Sequence, residues 1–203
     1  MKKKCLLAIG ISLVMAFSET AFAGAVPIEK EATAQLEGLK DSYEIEAVGK
    51  ISSFNADTYF LKHKKSGASI YIIDNDDTEK TFNIMYRTPY TDESDTNHVF
   101  EHAVLASSKK YPSKNIFFDM MSKTYATYAS AYTYSAFTCF PLASQSEEQL
   151  LKMIDVDLSC LTEPELLENE NIFKREAIRY ELYSRDEPIT MKGTVFSEDF
   201  GYL

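Results

Sequence analysis

Residues 96–112 read TNHVFEHAVLASSKKYP and set two of the chain's three histidines, His98 and His102, four positions apart with Glu101 between them. Asp95, Thr96 and Asn97 are helix-capping residue types, and Val99, Phe100, Ala103, Val104 and Leu105 follow at helix-compatible spacing. The pattern predicts a helix laid against a core. Side chains at i and i+4 of a helix share one face, with Cβ atoms about 6 Å apart. Two imidazoles so placed can converge on one Zn²⁺, each supplying a nitrogen at about 2.0–2.1 Å. Glu101 leans over the same face, where it can take a proton from water made more acidic by a metal. A catalytic zinc also needs a third protein ligand and an open position for water. Alone, the same three residues would also suit the wet surface of an ordinary helix. The order H-x-x-E-H reverses the H-E-x-x-H arrangement, and both orders occur among catalytic zinc motifs.

The pattern changes on both sides of this stretch. Upstream, ADTYFLKHKKSGASIYIIDNDDTEKTFNIMYRTPY alternates β-branched and aromatic runs with the turn signals KKSGA and DNDD, predicting strands joined as hairpins. His63 lies at the first of these turns among lysines, where an exposed, solvated ring is expected. Downstream, NIFFDMMSKTY reads as a second short helix and ATYASAYTYSAFTCFPLAS as a strand pair. SEEQLLKMIDVDLSCLT opens with a Ser-x-x-Gln capping box and continues as an amphipathic helix. ELLENENIFKREAIRYELYSRD, after Pro164, is expected to give further helix. Hairpins, helices, a hairpin and helices in that order predict an α+β fold, a mostly antiparallel sheet packed against helices. A chain of 203 residues is long enough for one domain with a sizeable core.

The N-terminus carries a different signal. MKKK is a positive start, CLLAIGISLVMAF an apolar run too short for a comfortable membrane span, and AFA before Gly24 a small-x-small cleavage pattern. The expectation is a signal peptide at 1–23, a polar tail at 24–45 and the folded domain at 46–203, in an exported bacterial protein, periplasmic or extracellular, with no membrane span once the signal is removed. The net charge of −10 argues against a nucleic-acid partner, which would need a basic face. Cys5 would leave with the signal; Cys139 and Cys160 would remain, as a disulfide permitted by export or as two buried thiols.

The separate pieces RTP (87–89), HVFEHAVL (98–105), SKKYP (108–112), the Phe117-Phe118-x-Met120 run, TCFP (138–141), IFKREAIRYEL (172–182) and KGTVFSE (192–198) stand in one order. Together they resemble the inverted-motif zinc peptidases of the pitrilysin and insulysin group, most nearly the presequence-protease branch. The resemblance implies a peptidase N-terminal domain of that group holding one Zn²⁺ per chain, with His98 and His102 as ligands and Glu101 as general base. It also implies a third ligand, and the matching segment points to Glu198, 96 residues past His102. Glu176 and Glu181, on the helix expected before it, are the other candidates, and Glu176 would also serve as an outer partner for a ligating histidine. Ser130 stands where relatives of this branch carry a substrate-contacting Asn, and Phe137 where they carry a polar residue.

Members of the branch have a second half that closes over the first into a chamber and contributes transition-state groups. The domain is therefore expected to be incomplete at its C-terminus, with Glu198 prone to fraying so near Leu203. The partners implied are peptide substrates and a C-terminal half or second subunit. Two functions compete: a zinc metalloendopeptidase acting on small unfolded peptides, and a non-catalytic relative that holds peptide or a partner chain along its sheet. Inactive relatives commonly lose motif residues; here His98, Glu101, His102 and Glu198 are all present.

Overall fold

The computed structural model describes residues 9–10 and 36–201. The other residues of the expected signal and tail lie outside this range. Ten strands and five helices follow one another: β1 (Ile9–Gly10), β2 (Tyr43–Ile51), β3 (Ala56–His63), β4 (Ser69–Asp74), β5 (Lys80–Arg87), α1 (Thr96–Val104), α2 (Ile116–Lys123), β6 (Ala126–Ala129), β7 (Tyr132–Thr133), β8 (Phe137–Ser144), α3 (Glu147–Thr162), α4 (Glu170–Glu176), β9 (Arg179–Glu181), β10 (Thr190–Lys192) and α5 (Thr194–Phe200). The fold is α+β, as the order of patterns predicts.

Eight strands form one sheet in the order β2-β3-β4-β1-β5-β8-β6, with β7 beside β8. Every pairing is antiparallel except β1 with β5. The turn between β3 and β4 closes through Gly67 at φ +72°, a backbone conformation that glycine adopts without steric penalty. His63 ends β3 half-buried, and its Nδ1 lies 2.6 Å from Ser66 Oγ within the turn.

Alternation along β5 and β8 sorts their side chains. Phe82, Ile84, Phe140 and Leu142 point to one face, where Leu150, Met153, Ile154 and Cys160 of α3 close over them with Val104 and Met120. Ser146 caps α3 by accepting from the Gln149 amide, as the capping box predicts. Cys139, adjacent to Phe140 on β8, points to the opposite face from Cys160, and both are free buried thiols. A second cluster, Leu36, Tyr59, Leu61 and Ile72, serves the β2–β4 half of the sheet.

One expected element is different. The helix after Pro164 ends at Glu176, and Arg179–Glu181 instead pairs with Thr190–Lys192 as a hairpin. Glu181 therefore sits on a strand and not on a helix. Ile178, Tyr180 and Leu182 alternate with Arg179 and Glu181, a period of two that suits a pleated strand. Among the described residues no helix is long and apolar enough to cross a membrane.

Phe140 is 2% exposed at the centre of the main cluster. Phe140→Ala should destabilise the chain by about 3–5 kcal/mol in urea unfolding. Leu167→Ala, at a side chain 79% exposed, should change stability by no more than about 0.5 kcal/mol.

Candidate metal centre

The site is built on α1. Its inner face is fixed by Ala103 and Val104, both fully buried, and by Glu101, 5% exposed. One turn apart on the neighbouring face stand His98 and His102, their ring centroids 4.9 Å apart and their planes at 71°. Ala103 and Ala106 pack with Ile172 of α4, and such small side chains let the two helices approach closely.

Glu198 arrives from α5. Its Oε2 lies 3.4 Å from His98 Nε2 and 3.3 Å from His102 Nε2. The three ligand-capable atoms all fall within 4.8 Å of one another, each from a half-buried residue. A tetrahedral ion with bonds of about 2.0–2.1 Å holds its ligand atoms about 3.3–3.4 Å apart. The spacing therefore suits a small tetrahedral cation, and the donor set of two imidazoles and one carboxylate leaves a fourth position open. Glu198 is carried on α5, whose Val195 is 3% exposed and which contacts both α4 and α1.

Gly193 makes that approach geometrically feasible. A Cβ there would lie 1.9 Å from the Ala177 carbonyl oxygen, so only glycine lets α5 start directly against the end of α4. Thr194 and Ser197 tie the same junction, donating to the Arg175 and Gly193 carbonyls.

Each histidine has its other nitrogen turned to a different carboxylate. His102 Nδ1 lies 3.8 Å from Glu176 Oε2, an ion-pair distance longer than a hydrogen bond. Glu176 is 4% exposed. Burial alone would raise its pKa, but His102, Arg175 and Thr194 outweigh burial and hold it down at about 2. Reciprocally, Glu176 raises the His102 pKa against the opposing effect of burial, with Glu198 and Glu101 adding to the rise. His98 Nδ1 lies 3.1 Å from Asp95 Oδ2 and 3.9 Å from Asp199 Oδ1. Neither aspartate was singled out from the sequence as a site residue. The available signal was the three-residue spacing from Asp95 to His98, but residue type placed Asp95 among the cap candidates instead.

Two other candidates lie apart from the two rings. Glu181 pairs with Arg179 and Tyr183 on the β9–β10 hairpin. Ser130 sits in the break between β6 and β7, its amide donating to Pro141 O and its hydroxyl 3.5 Å from Ala131 O. Its link to the site is β7, which packs on α1.

Two histidines on the H-x-x-E-H helix and one carboxylate from α5 form a candidate metal cluster, and comparison with known proteins identifies the family. Residues 91–192 match the model of the insulinase family, Peptidase family M16. The chain belongs to that family, as the part that carries the H-x-x-E-H helix. It is similar to presequence protease 1, chloroplastic/mitochondrial, of Arabidopsis thaliana, 34% identical over 73% of this chain and 14% of that protein. It is 31% identical to the mitochondrial presequence protease of Candida albicans over 79% of this chain and 16% of that protein. Protein HypA of Clostridium perfringens is 29% identical over 68% of this chain and 14% of its own length. The chain thus spans about one seventh of the length of these relatives.

These relatives overturn the periplasmic or extracellular placement expected from the N-terminus, since the presequence proteases are mitochondrial or chloroplastic by name. A short apolar run after lysines is not specific to export. Buried strands carry the same composition, and Ile9–Gly10, inside that run, pairs with Tyr71 on one side and with Phe82 and Asn83 on the other.

Two outcomes follow, the first of them for the metal-free chain. Glu176, depressed from 4.5 to about 2, contributes stability that is full above pH 4.5 and is lost as pH falls toward 2. His102, raised from 6.5, contributes stability that is full below pH 6.5 and fades as pH rises through its folded value. The pair therefore stabilises most between pH 4.5 and 6.5. Glu176→Gln should remove about 1–3 kcal/mol in that window and flatten the acid limb of a urea-midpoint profile. Gly193→Ala should displace α5 and weaken divalent-metal binding by at least about tenfold in chelator competition.

Proposed function

We propose that this chain carries the catalytic segment of a zinc metalloendopeptidase that hydrolyses small unfolded peptides. The observation that carries the reading is the 3.3 Å and 3.4 Å spacing of Glu198 Oε2 from two imidazole nitrogens one helical turn apart. His98, His102 and Glu198 would hold one Zn²⁺ per chain. Zinc, when bound, supplies Lewis acidity that brings the pKa of water toward about 7. Glu101 takes the proton from the attacking water and returns it to the leaving amine. Its position supports that role: it is buried on the ligand helix, yet among the described residues it forms no ion pair with either imidazole.

Glu176 orients His102 and raises the basicity of its ring, as an outer carboxylate does for a ligating imidazole. Ser130 offers a hydroxyl to the substrate backbone from the edge strands beside α1. The substrates are peptides, and a further half or a second subunit would complete a closed chamber and supply groups that stabilise the anionic transition state. Donors of that kind contribute several kcal/mol to catalysis. The 203-residue chain alone should accordingly hydrolyse peptides poorly, with activity restored when the remaining polypeptide is supplied in cis or in trans.

Metal analysis and a quenched-peptide assay test the assignment together. His102→Ala should lose zinc stoichiometrically, and retained zinc would remove His102 from the ligand set. Glu101→Gln should keep zinc while hydrolysis falls by several orders of magnitude, because an amide cannot accept the proton. Loss of zinc in Glu101→Gln would make Glu101 a ligand or a structural support.

A further inference from the structure

We infer that Asp95 is a positioning residue for His98, its carboxylate fixing the imidazole so that Nε2 faces the metal site; the inference rests on the zinc reading of the cluster. Three independent observations meet at this residue.

The first is conformational. Asp95 occupies the N-cap position of α1 at φ 52° and ψ 27°, in the left-handed region. Non-glycine residues enter that region at a cost in free energy, and such strain persists where surrounding contacts over-determine it.

The second is that the carboxylate does not do what an N-cap aspartate ordinarily does. It accepts no hydrogen bond from the first-turn amides; the amides of His98 and Val99 bond instead to the Asp95 backbone carbonyl, each at 3.1 Å. The side chain is turned onto His98, with Oδ2 3.1 Å from Nδ1.

The third is that the carboxylate is itself held. The Tyr90 hydroxyl donates to Asp95 Oδ1 at 3.2 Å, and the Tyr90 amide bonds to the Ser135 carbonyl at 3.0 Å. A continuous run of contacts therefore links the β7–β8 turn to the His98 ring.

The consequence is a tautomer. A neutral imidazole carries one N–H, and whichever nitrogen donates leaves the other as the lone pair. Nδ1–H donating to Asp95 leaves Nε2 bare, and Nε2 is the nitrogen that lies 3.4 Å from Glu198. Asp199, 3.9 Å from the same Nδ1, adds negative potential but lies beyond hydrogen-bond reach. His102 has its own carboxylate in Glu176, so the two rings are oriented separately, one from the loop before α1 and one from α4.

Asp95→Gly and Asp95→Asn in the full 203-residue chain separate this role from a structural one. Glycine removes the carboxylate and also relieves the left-handed backbone, whereas asparagine tolerates that backbone and keeps an acceptor without the charge. Asp95→Gly should weaken zinc binding by about 10–100-fold in chelator competition, while the melting temperature of the metal-free chain stays level or rises. Asp95→Asn should weaken it less than Asp95→Gly does. In ¹⁵N-histidine spectra, simple to assign with only three histidines, His98 should move toward the Nε2–H tautomer in Asp95→Gly. An unchanged zinc affinity in Asp95→Gly overturns the inference and leaves the zinc reading intact. So does an affinity loss matched by a fall in melting temperature. A wild-type chain that binds no zinc in the same titration overturns both.

Discussion

The meeting of the Glu198 carboxylate with two imidazoles, 96 and 100 residues away along the chain, is the constraint that organises this part of the molecule. The histidines need only one helix to be neighbours. Glu198 needs the sheet, the α3 layer, the α4 packing and the close start of α5 all to be in place. Around the two rings the fold gathers Asp95, Glu176, Glu198 and Asp199 within 4.0 Å of an imidazole nitrogen, and Glu101 adds its field from beneath. Carboxylates gathered this closely repel one another unless a cation balances them. Desolvation and the neighbouring Asp95 already push the Asp199 carboxyl above its usual range. On the zinc reading a divalent ion would offset part of that charge, and its binding would become part of the folding free energy of α5.

How α5 is placed shows where small residues matter. Ala103 and Ala106 admit α4 to the flank of α1, and Gly193 admits α5 to the end of α4. None of these three residues carries any chemistry. Each sets a backbone distance on which a ligand's position depends, and ligand geometry tolerates errors of only about half an ångström. The aromatic core of β5, β8 and α3 then provides the rigid floor, with Phe140 and Leu142 fully enclosed.

What was legible in the sequence follows the range of each interaction. His98, Glu101 and His102 are a local pattern, and three residues at helical spacing are enough to put them on one face. The hairpin turns and the Ser146 cap are equally local. Glu198 had no such signal, because nothing in KGTVFSE states which distant helix it will meet; only resemblance to a family singled it out. Glu181 was misplaced because IFKREAIRYEL holds helix-favouring residues at its start and an alternating strand at its end, and the change of period falls within a few residues of Ala177. Asp95 was read by residue type as a cap, whereas its backbone takes the cap position and its side chain does not. That distinction depends on φ and on the Tyr90 contact, which composition does not encode.

Five carboxylates share this site, and their positions divide their work. Glu198 alone among the described residues reaches the Nε2 atoms of both rings. Asp95, Glu176 and Asp199 face only Nδ1 atoms, from the outside. Glu101 pairs with neither ring and is almost wholly buried. The Glu198 side chain, brought in on α5, is 40% exposed. Glu101 lies instead on the inner side of α1, 5% exposed. There, backbone geometry keeps it from swinging into a ligand position, because the helix that fixes His98 and His102 fixes Glu101 in the same frame. The H-x-x-E-H helix thus sets Glu101 and both imidazoles on one rigid element and leaves only Glu198 to be brought in by the rest of the fold.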